Sequence, residues 1–383
     1  MRIIYCDHAA TTSVKREVLC SMIPYYVEEY GNPSSLYEIG RRNKQVITNA
    51  RRQVARAINA NCKEIYFTSC GSESDNLAIK GFCYANKNKG KHIITSRIEH
   101  PAVLNTCKTL ERQGFEVTYL NVDDKGFVRL DELKNSVRDD TILITIMTAN
   151  NEIGTIQKIE EIGAFARKKN IIFHTDAVQA VGNIEIDVQR MNIDMLSMSA
   201  HKFYGPKGVG ALYVKEGIEF ERIQDGGHQE RNKRSGTENV AGIVGLGKAI
   251  EIATYNIEQY NNKLSALRKR FLKGIEQTIG KENFRLNGDW NNRLPGNINI
   301  SFKNIDSSML LLELDKRGIC ASGGSACSSG ERAPSHVLLA IGLDKEWIDG
   351  TIRISLGEEN TAEEIDYLIK EISEIYKSQK DDT

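Results

Sequence analysis

Charge of one sign is what this sequence most plainly lacks. Lys and Arg total 51, and so do Asp and Glu, for a formal net charge of zero. A balanced chain offers no broad basic face for nucleic acid and no field toward an anionic membrane. Long apolar runs are missing too; none approaches the roughly 18 residues from which a spanning helix is built. The opening MRIIYCDHAATT meets Asp7 before any hydrophobic stretch of leader length, so it does not read as a secretory signal. A cytoplasmic location, with no membrane or nucleic-acid partner, is the expectation. Prolines number only six in 383 residues, so few breaks are forced on the pattern. Cysteines are not scarce: there are eight, but no pair has the C-x-x-C spacing of zinc or thioredoxin-type sites. In a reducing compartment such thiols stay free. There is no internal repeat and no low-complexity tract.

What is present is an alternation. From about residue 64 to 215, short apolar runs (64–69, 92–96, 116–122, 142–149, 171–177, 195–200 and 210–215) take turns with amphipathic segments such as KIEEIGAFARKKN, 158–170. Several runs are apolar on both faces, as strands of a mostly parallel sheet are. The pattern predicts an α/β sheet layered by helices. Residues 247–279 read as a long helix, broken once, that leads the chain away. Strand-like 297–302, 318–322 and 351–357 then mix with helical segments, which predicts a smaller α+β unit. The expected division is a large domain over 14–258 and a small one built from 1–13 and 259–383.

Three strand ends in the large unit hold polar groups, and ligands of open α/β sheets bind beyond such ends. TSCGSES closes one run and opens a helix. There Gly71 lets the backbone approach a ligand, Ser72 is placed to cap, and first-turn N–H groups suit a phosphate. Asp176 ends the run IIFHTD, where a carboxylate needs a cation. Lys202 follows SMSAH, where an amine can lose its proton and form a Schiff base. Each feature alone is also that of an ordinary capped helix, surface loop or solvated lysine. Together they match the needs of pyridoxal phosphate: a phosphate anchor, a carboxylate for the ring nitrogen and an amine for the carbonyl. A further stretch, SGGSACSSGE (322–331), sets Cys327 among serines and glycines, in linker composition where a thiol is hard to bury.

With these pieces in view, the chain resembles the cysteine desulfurases of the NifS/IscS type, class V aminotransferases of the fold-type I pyridoxal-phosphate group. The resemblance runs nearly the whole length. It rests on DHAATT (7–12), GNPSS (31–35), EHPAV (99–103), NNEIGT (150–155), DAVQAVG (176–182), SAHKFYGPKGVG (199–210), RSGTEN (234–239) and SACSSG (325–330). It implies a large cofactor-binding domain, with a mostly parallel sheet between helices, and a smaller α+β domain carrying the cysteine loop.

The resemblance also implies roles. Lys202 would hold the cofactor and Asp176 would pair its ring nitrogen. Gln179 would reach the ring hydroxyl. His100 would stack on the ring and assist proton transfer, so that Cys327, Lys202 and His100 are the catalytic set. Gly71, Ser72, Ser199 and His201 would hold the phosphate. Thr237 would reach the phosphate site of a second subunit, which implies a homodimer. Asn150 and Arg353 would orient the ring and bind the substrate carboxylate, the planar guanidinium being suited to that task. Cys327 would accept sulfur from L-cysteine as a persulfide, leaving L-alanine. A protein acceptor, such as an iron–sulfur scaffold or a thiolation system, would then take the sulfur. No intrinsic metal is implied, although Cys327 could serve as a transient iron–sulfur ligand. Selenocysteine lyase or another β-eliminating activity shares the cofactor, and a silent sulfur-relay or scaffold protein is the non-enzyme alternative. The chain departs from the family pattern at Cys70-Gly71-Ser72, usually Gly-Ala-Thr, and at Ser13 and Lys158, usually proline. None of these changes removes a catalytic group.

Overall fold

The chain enters on a two-residue strand, β1 (Ile4–Tyr5), and its first 12 residues then cross between two bodies of structure. These are seen in a computed structural model that describes residues 3–323 and 334–381. Seven strands form the larger sheet: β2 (Ile65–Thr68), β3 (His92–Ser96), β4 (Glu116–Leu120), β5 (Thr141–Thr145), β6 (Ile172–Asp176), β7 (Met195–Ser199) and β8 (Gly210–Val214). Their order is β2-β8-β7-β6-β5-β3-β4. Only β8 runs against its neighbours, β2 and β7; the other pairings are parallel. The expected α/β class with a mostly parallel sheet is therefore what the chain adopts. In β3, β5, β7 and β8 every residue is buried, which is why these runs lack polar alternation.

Helices cover both faces. The long helix Glu38–Ala57 packs on Val240–Tyr255, and together with one face of the sheet they close the largest apolar core, around Val54, Phe173, Met198 and Leu246. Gly71–Asn86 and Pro101–Glu111 cover the other face, burying Leu77, Phe82, Val103 and Leu110. Each such side chain taken fully from water contributes about 1.5–3 kcal/mol of transfer free energy.

The second body is a three-stranded antiparallel sheet of β9 (Phe284–Leu286), β10 (Asn297–Phe302) and β12 (Thr351–Ser355) in the order β12-β10-β9. It lies under the helices Ile257–Ile279 and Ala362–Asp381, with Phe271, Ile298, Ile354 and Leu368 in its core. The short strand β11 (Ile319–Cys320) pairs in parallel with β1. The helix read over 247–279 is two helices. Asn239 caps the first, which begins at Val240, and the break falls at Asn256 (φ −131°, ψ 41°). Residues Val337, Leu338, Ile341 and Leu343, far along the chain, pack into the core of the larger body rather than the smaller.

Candidate active site

Because β2, β3, β5, β6 and β7 all run the same way, their carboxyl ends meet at one edge of the sheet. Gly71 follows β2, His100 follows β3, Asn150 follows β5, Asp176 ends β6, and Ser199, His201 and Lys202 end or follow β7. The sheet thus brings together residues spread over 130 positions of sequence at the place where open α/β sheets bind ligands.

The helix Gly71–Asn86 starts one residue before Ser72. Cys70 is its N-cap, without a side-chain cap bond, and the first backbone bond of this turn runs from Ser74 N–H to Cys70 O. Ser72 therefore does not cap, as its sequence position suggested. It is an exposed first-turn residue that brings an N–H to the helix end. A Cβ on Gly71 would stand 2.6 Å from Val178 Cγ2 and 3.6 Å from Ser199 Cβ, so the helix end, the β6 loop and the β7 end converge here. The Ser199 hydroxyl is buried and has no hydrogen-bond partner among the described residues. An unsatisfied buried hydroxyl beside a positive helix end fits an anionic group such as phosphate.

Asp176 is 6% exposed and accepts the Val178 N–H at 2.9 Å. Burial pushes its carboxyl up, while the charges of His100 and Lys202 and the Val178 N–H pull it down. Such a carboxylate fits a cationic ring nitrogen. His100 is the N-cap of Pro101–Glu111, its Nδ1 accepting the Ala102 N–H at 3.1 Å. In the neutral ring the proton is therefore on Nε2. Burial and the nearby charge of Lys202 lower the imidazole's tendency to take a second proton, against the pull of Asp176. Lys202 Nζ donates to Ala9 O at 2.6 Å and Ala10 O at 2.7 Å. Gln179 Nε2 also donates to Ala9 O, at 2.9 Å, and His201 Nδ1 meets Thr11 Oγ1 at 3.1 Å. Burial, with Lys202 and Lys207 nearby, pushes His201 down to about 4, so it is neutral near pH 7.

Arg353, on β12, is 1% exposed. One of its Nη atoms donates to Asp7 Oδ1 at 2.8 Å and the other to Asn151 O at 3.0 Å. Asn150 is wholly buried, and its amide is committed to its own turn: Nδ2 donates to Ile98 O, and Oδ1 accepts the N–H groups of Glu152 and Ile153, all at 2.9 Å. Its contribution to a ligand is therefore the shape of the turn. Thr237 is exposed, just before the helix Val240–Tyr255. Cys327 lies outside the described residues. Of the other seven cysteines, Cys6, Cys83 and Cys107 are buried, Cys62, Cys70 and Cys320 are half-buried, and Cys20 is exposed. Reading by residue type missed Asp7 and the carbonyls of Ala9 and Ala10. The DHAATT motif marks their place, but a carbonyl has no signature in sequence.

Residues 4–368 match the aminotransferase class-V family. The chain belongs to that family. A cysteine desulfurase IscS of Clostridium botulinum is 55% identical over 380 residues, covering 99% of this chain and 95% of the relative. A solved NifS-like protein superposes with a TM-score of 0.92 at 40% identity, covering 98% and 99% of the two chains. A structure of SspA in complex with cysteine gives 0.82 at 41% identity, covering 93% and 99%. The resemblance carried by the motifs is thereby borne out, and the family's members are enzymes.

Proposed function

We propose that this chain is a pyridoxal-phosphate-dependent cysteine desulfurase that converts L-cysteine to L-alanine and takes the sulfur onto Cys327 as a persulfide. The observation that carries the reading is one sheet edge that gathers an amine, a buried carboxyl and a helix end with an unpartnered hydroxyl. The relatives favour it over a selenocysteine lyase or a silent sulfur-relay scaffold. Gly71, Ser72, Ser199 and His201 would hold the phosphate, Asp176 the ring nitrogen, Gln179 the ring hydroxyl, and Lys202 the carbonyl carbon. When bound, the cofactor supplies an electron sink for the charge left at the substrate Cα.

The rest is the work of the chain. Lys202 Nζ takes the Cα proton, steadied by the two carbonyls it already meets. His100, with its proton on Nε2, offers a hydrogen bond from that atom. Arg353 offers its fork to the substrate carboxylate, which competes with Asp7 for the same cation. The thiolate of Cys327 attacks the substrate sulfur; the S–S bond forms as the Cβ–S bond breaks, and the electron pair stays with the carbon skeleton that becomes alanine.

Thr237 would complete the cofactor site of a second copy of this chain. Supporting a homodimer, Leu19, Ile23, Tyr26, Val27, Tyr30, Leu36 and Tyr37 form an exposed apolar stretch whose helices pack on Val240–Tyr255, directly after Thr237. Isolated domains rarely leave so many large apolar groups in water. We keep the division into a large domain over 14–258 and a small one from 1–13 and 259–383 as part of this proposal, with Val337, Leu338, Ile341 and Leu343 assigned to the large core in which they pack. Among the described residues no helix is long and apolar enough to cross a membrane. A cytoplasmic enzyme passing sulfur to a protein acceptor, such as an iron–sulfur scaffold, fits this description.

The test is chemical. Borohydride reduction of the yellow protein is expected to fix the cofactor on the peptide containing Lys202, and Lys202→Ala to abolish turnover. Mass spectrometry after L-cysteine, without reductant, is expected to find one added sulfur on the Cys327 peptide. Sulfur on Cys70 or Cys320, with full turnover in Cys327→Ser, would overturn the assignment.

A further inference from the structure

The NNEIGT turn does more than present Asn150. The Asn297 amide donates to Glu152 O at 3.0 Å and the Arg293 guanidinium to Ile153 O at 2.8 Å, so β10 of the smaller body is bound to this turn. Arg353 reaches Asn151 O from β12. The Glu152 side chain, with the residue 1% exposed, accepts the Ser335 hydroxyl at 2.5 Å. Ser335 spends its lone pairs on the N–H groups of Val337 and Leu338, at 3.1 and 3.3 Å, so its one proton is committed to Glu152. Next to it, His336 Nε2 donates to Glu99 O at 3.0 Å, the carbonyl just before His100. Val337 and Leu338 then enter the large core. On the other side of Cys327 in sequence, Ser322 exchanges backbone bonds with Arg353 at 3.1 and 2.6 Å, and Ile319 belongs to the small core.

We propose that Glu152 and Ser335 form a latch that fixes the chain downstream of Cys327 against the turn of Asn150 and the Arg353 guanidinium. They are positioning residues for sulfur transfer, not for cofactor or substrate binding. The inference rests on the reading of Cys327 as the sulfur acceptor. Anchoring Ser322 and Ser335, on either side of the acceptor in sequence, beside groups that would frame the substrate acts on the transfer step alone. A hydroxyl bonded to a carboxylate inside the protein is of the stronger class, so its loss is expected to be felt.

The experiment mixes holoenzyme with L-cysteine in a single turnover and follows two signals: the change in cofactor absorbance on substrate binding, and the formation of alanine with persulfide. In Ser335→Ala the absorbance change is expected to stay within about twofold of wild type, and sulfur transfer to slow by about tenfold or more. Ser335→Thr, which keeps the hydroxyl, is expected to restore most of the rate. Glu152→Gln, isosteric and still an acceptor, is expected to slow transfer by about threefold with the absorbance step intact. Equal slowing of both steps, or transfer at the wild-type rate in Ser335→Ala, overturns the latch while leaving the desulfurase reading in place. A wild-type protein that makes no alanine overturns both.

Discussion

Glu99 shows how much of this site rests on groups that never touch a ligand. It is fully buried, accepts from Ser96 Oγ at 2.6 Å and from Met147 N–H, and burial pushes its carboxyl up to about 8. In the unfolded chain an ordinary glutamate titrates near 4.3. The folded state therefore holds a proton that the unfolded state gives up. The stability this provides is complete below about pH 4.3 and is lost as pH rises toward 8, at about 1.4 kcal/mol per pH unit. Glu99→Gln, which mimics the protonated form, is expected to flatten that slope. Urea unfolding at pH 5, 6.5 and 8 checks it; a variant with the wild-type slope would show that Glu99 is ionised in the fold. Lys202 and Asp176 were legible in the sequence because a charged residue closing an apolar run demands a partner. The pairing of Arg353 with Asp7, across 346 positions, was not, since nothing local to either residue points to the other. Nor was the unpartnered hydroxyl of Ser199, because burial of a serine depends on what the sheet sets beside it.

At the scale of elements, the start of the helix Gly71–Asn86 governs the proposed phosphate end of the site. A methyl on Gly71 would meet Val178 Cγ2 at 2.6 Å, and a β-branched neighbour has few rotamers in which to retreat. Val178 also supplies the N–H that holds Asp176. Gly71→Ala is therefore expected to disturb two anchors at once and to weaken pyridoxal phosphate retention by about tenfold, the usual size of a modest overpacking penalty. Dialysis against cofactor-free buffer, followed by absorbance, measures it. Unchanged retention would show that the helix end does not approach the cofactor. The strands themselves were read to within a few residues, because fully buried parallel strands are continuous apolar runs. The break at Asn256 could not be placed, since neither proline nor glycine marks it; nor could the helix start at Gly71, where the cap is a cysteine with no capping bond.

For the whole molecule, the exposed stretch from Leu19 to Tyr37 sets the expectation. Tyr30, 75% exposed, and Leu36, 87% exposed, would be central to a contact between copies. The double variant Tyr30→Asp, Leu36→Asp is expected to sediment as a monomer and to lose most of its activity, because Thr237 would no longer meet a second site. A fully active monomer at assay concentration would defeat the dimer reading. The two bodies of structure could be anticipated from the change in pattern after the long helices. That residues 337–343 return to the large core could not, since their apolar spacing suits either body.

The strand β1 has one more consequence, concerning time. Ile4 and Tyr5 find their partners at Ile319 and Cys320, and Asp7 finds Arg353. The carbonyls that receive Lys202 thus depend on residues up to 346 positions further along the chain. A ribosome must release residues 319–353 before this seam can close, and pairings so distant along a chain form slowly. A nascent chain would in consequence carry the proposed cofactor side chains of the large sheet well before it could hold Lys202 still, so that competence follows the synthesis of β12 rather than the folding of the sheet.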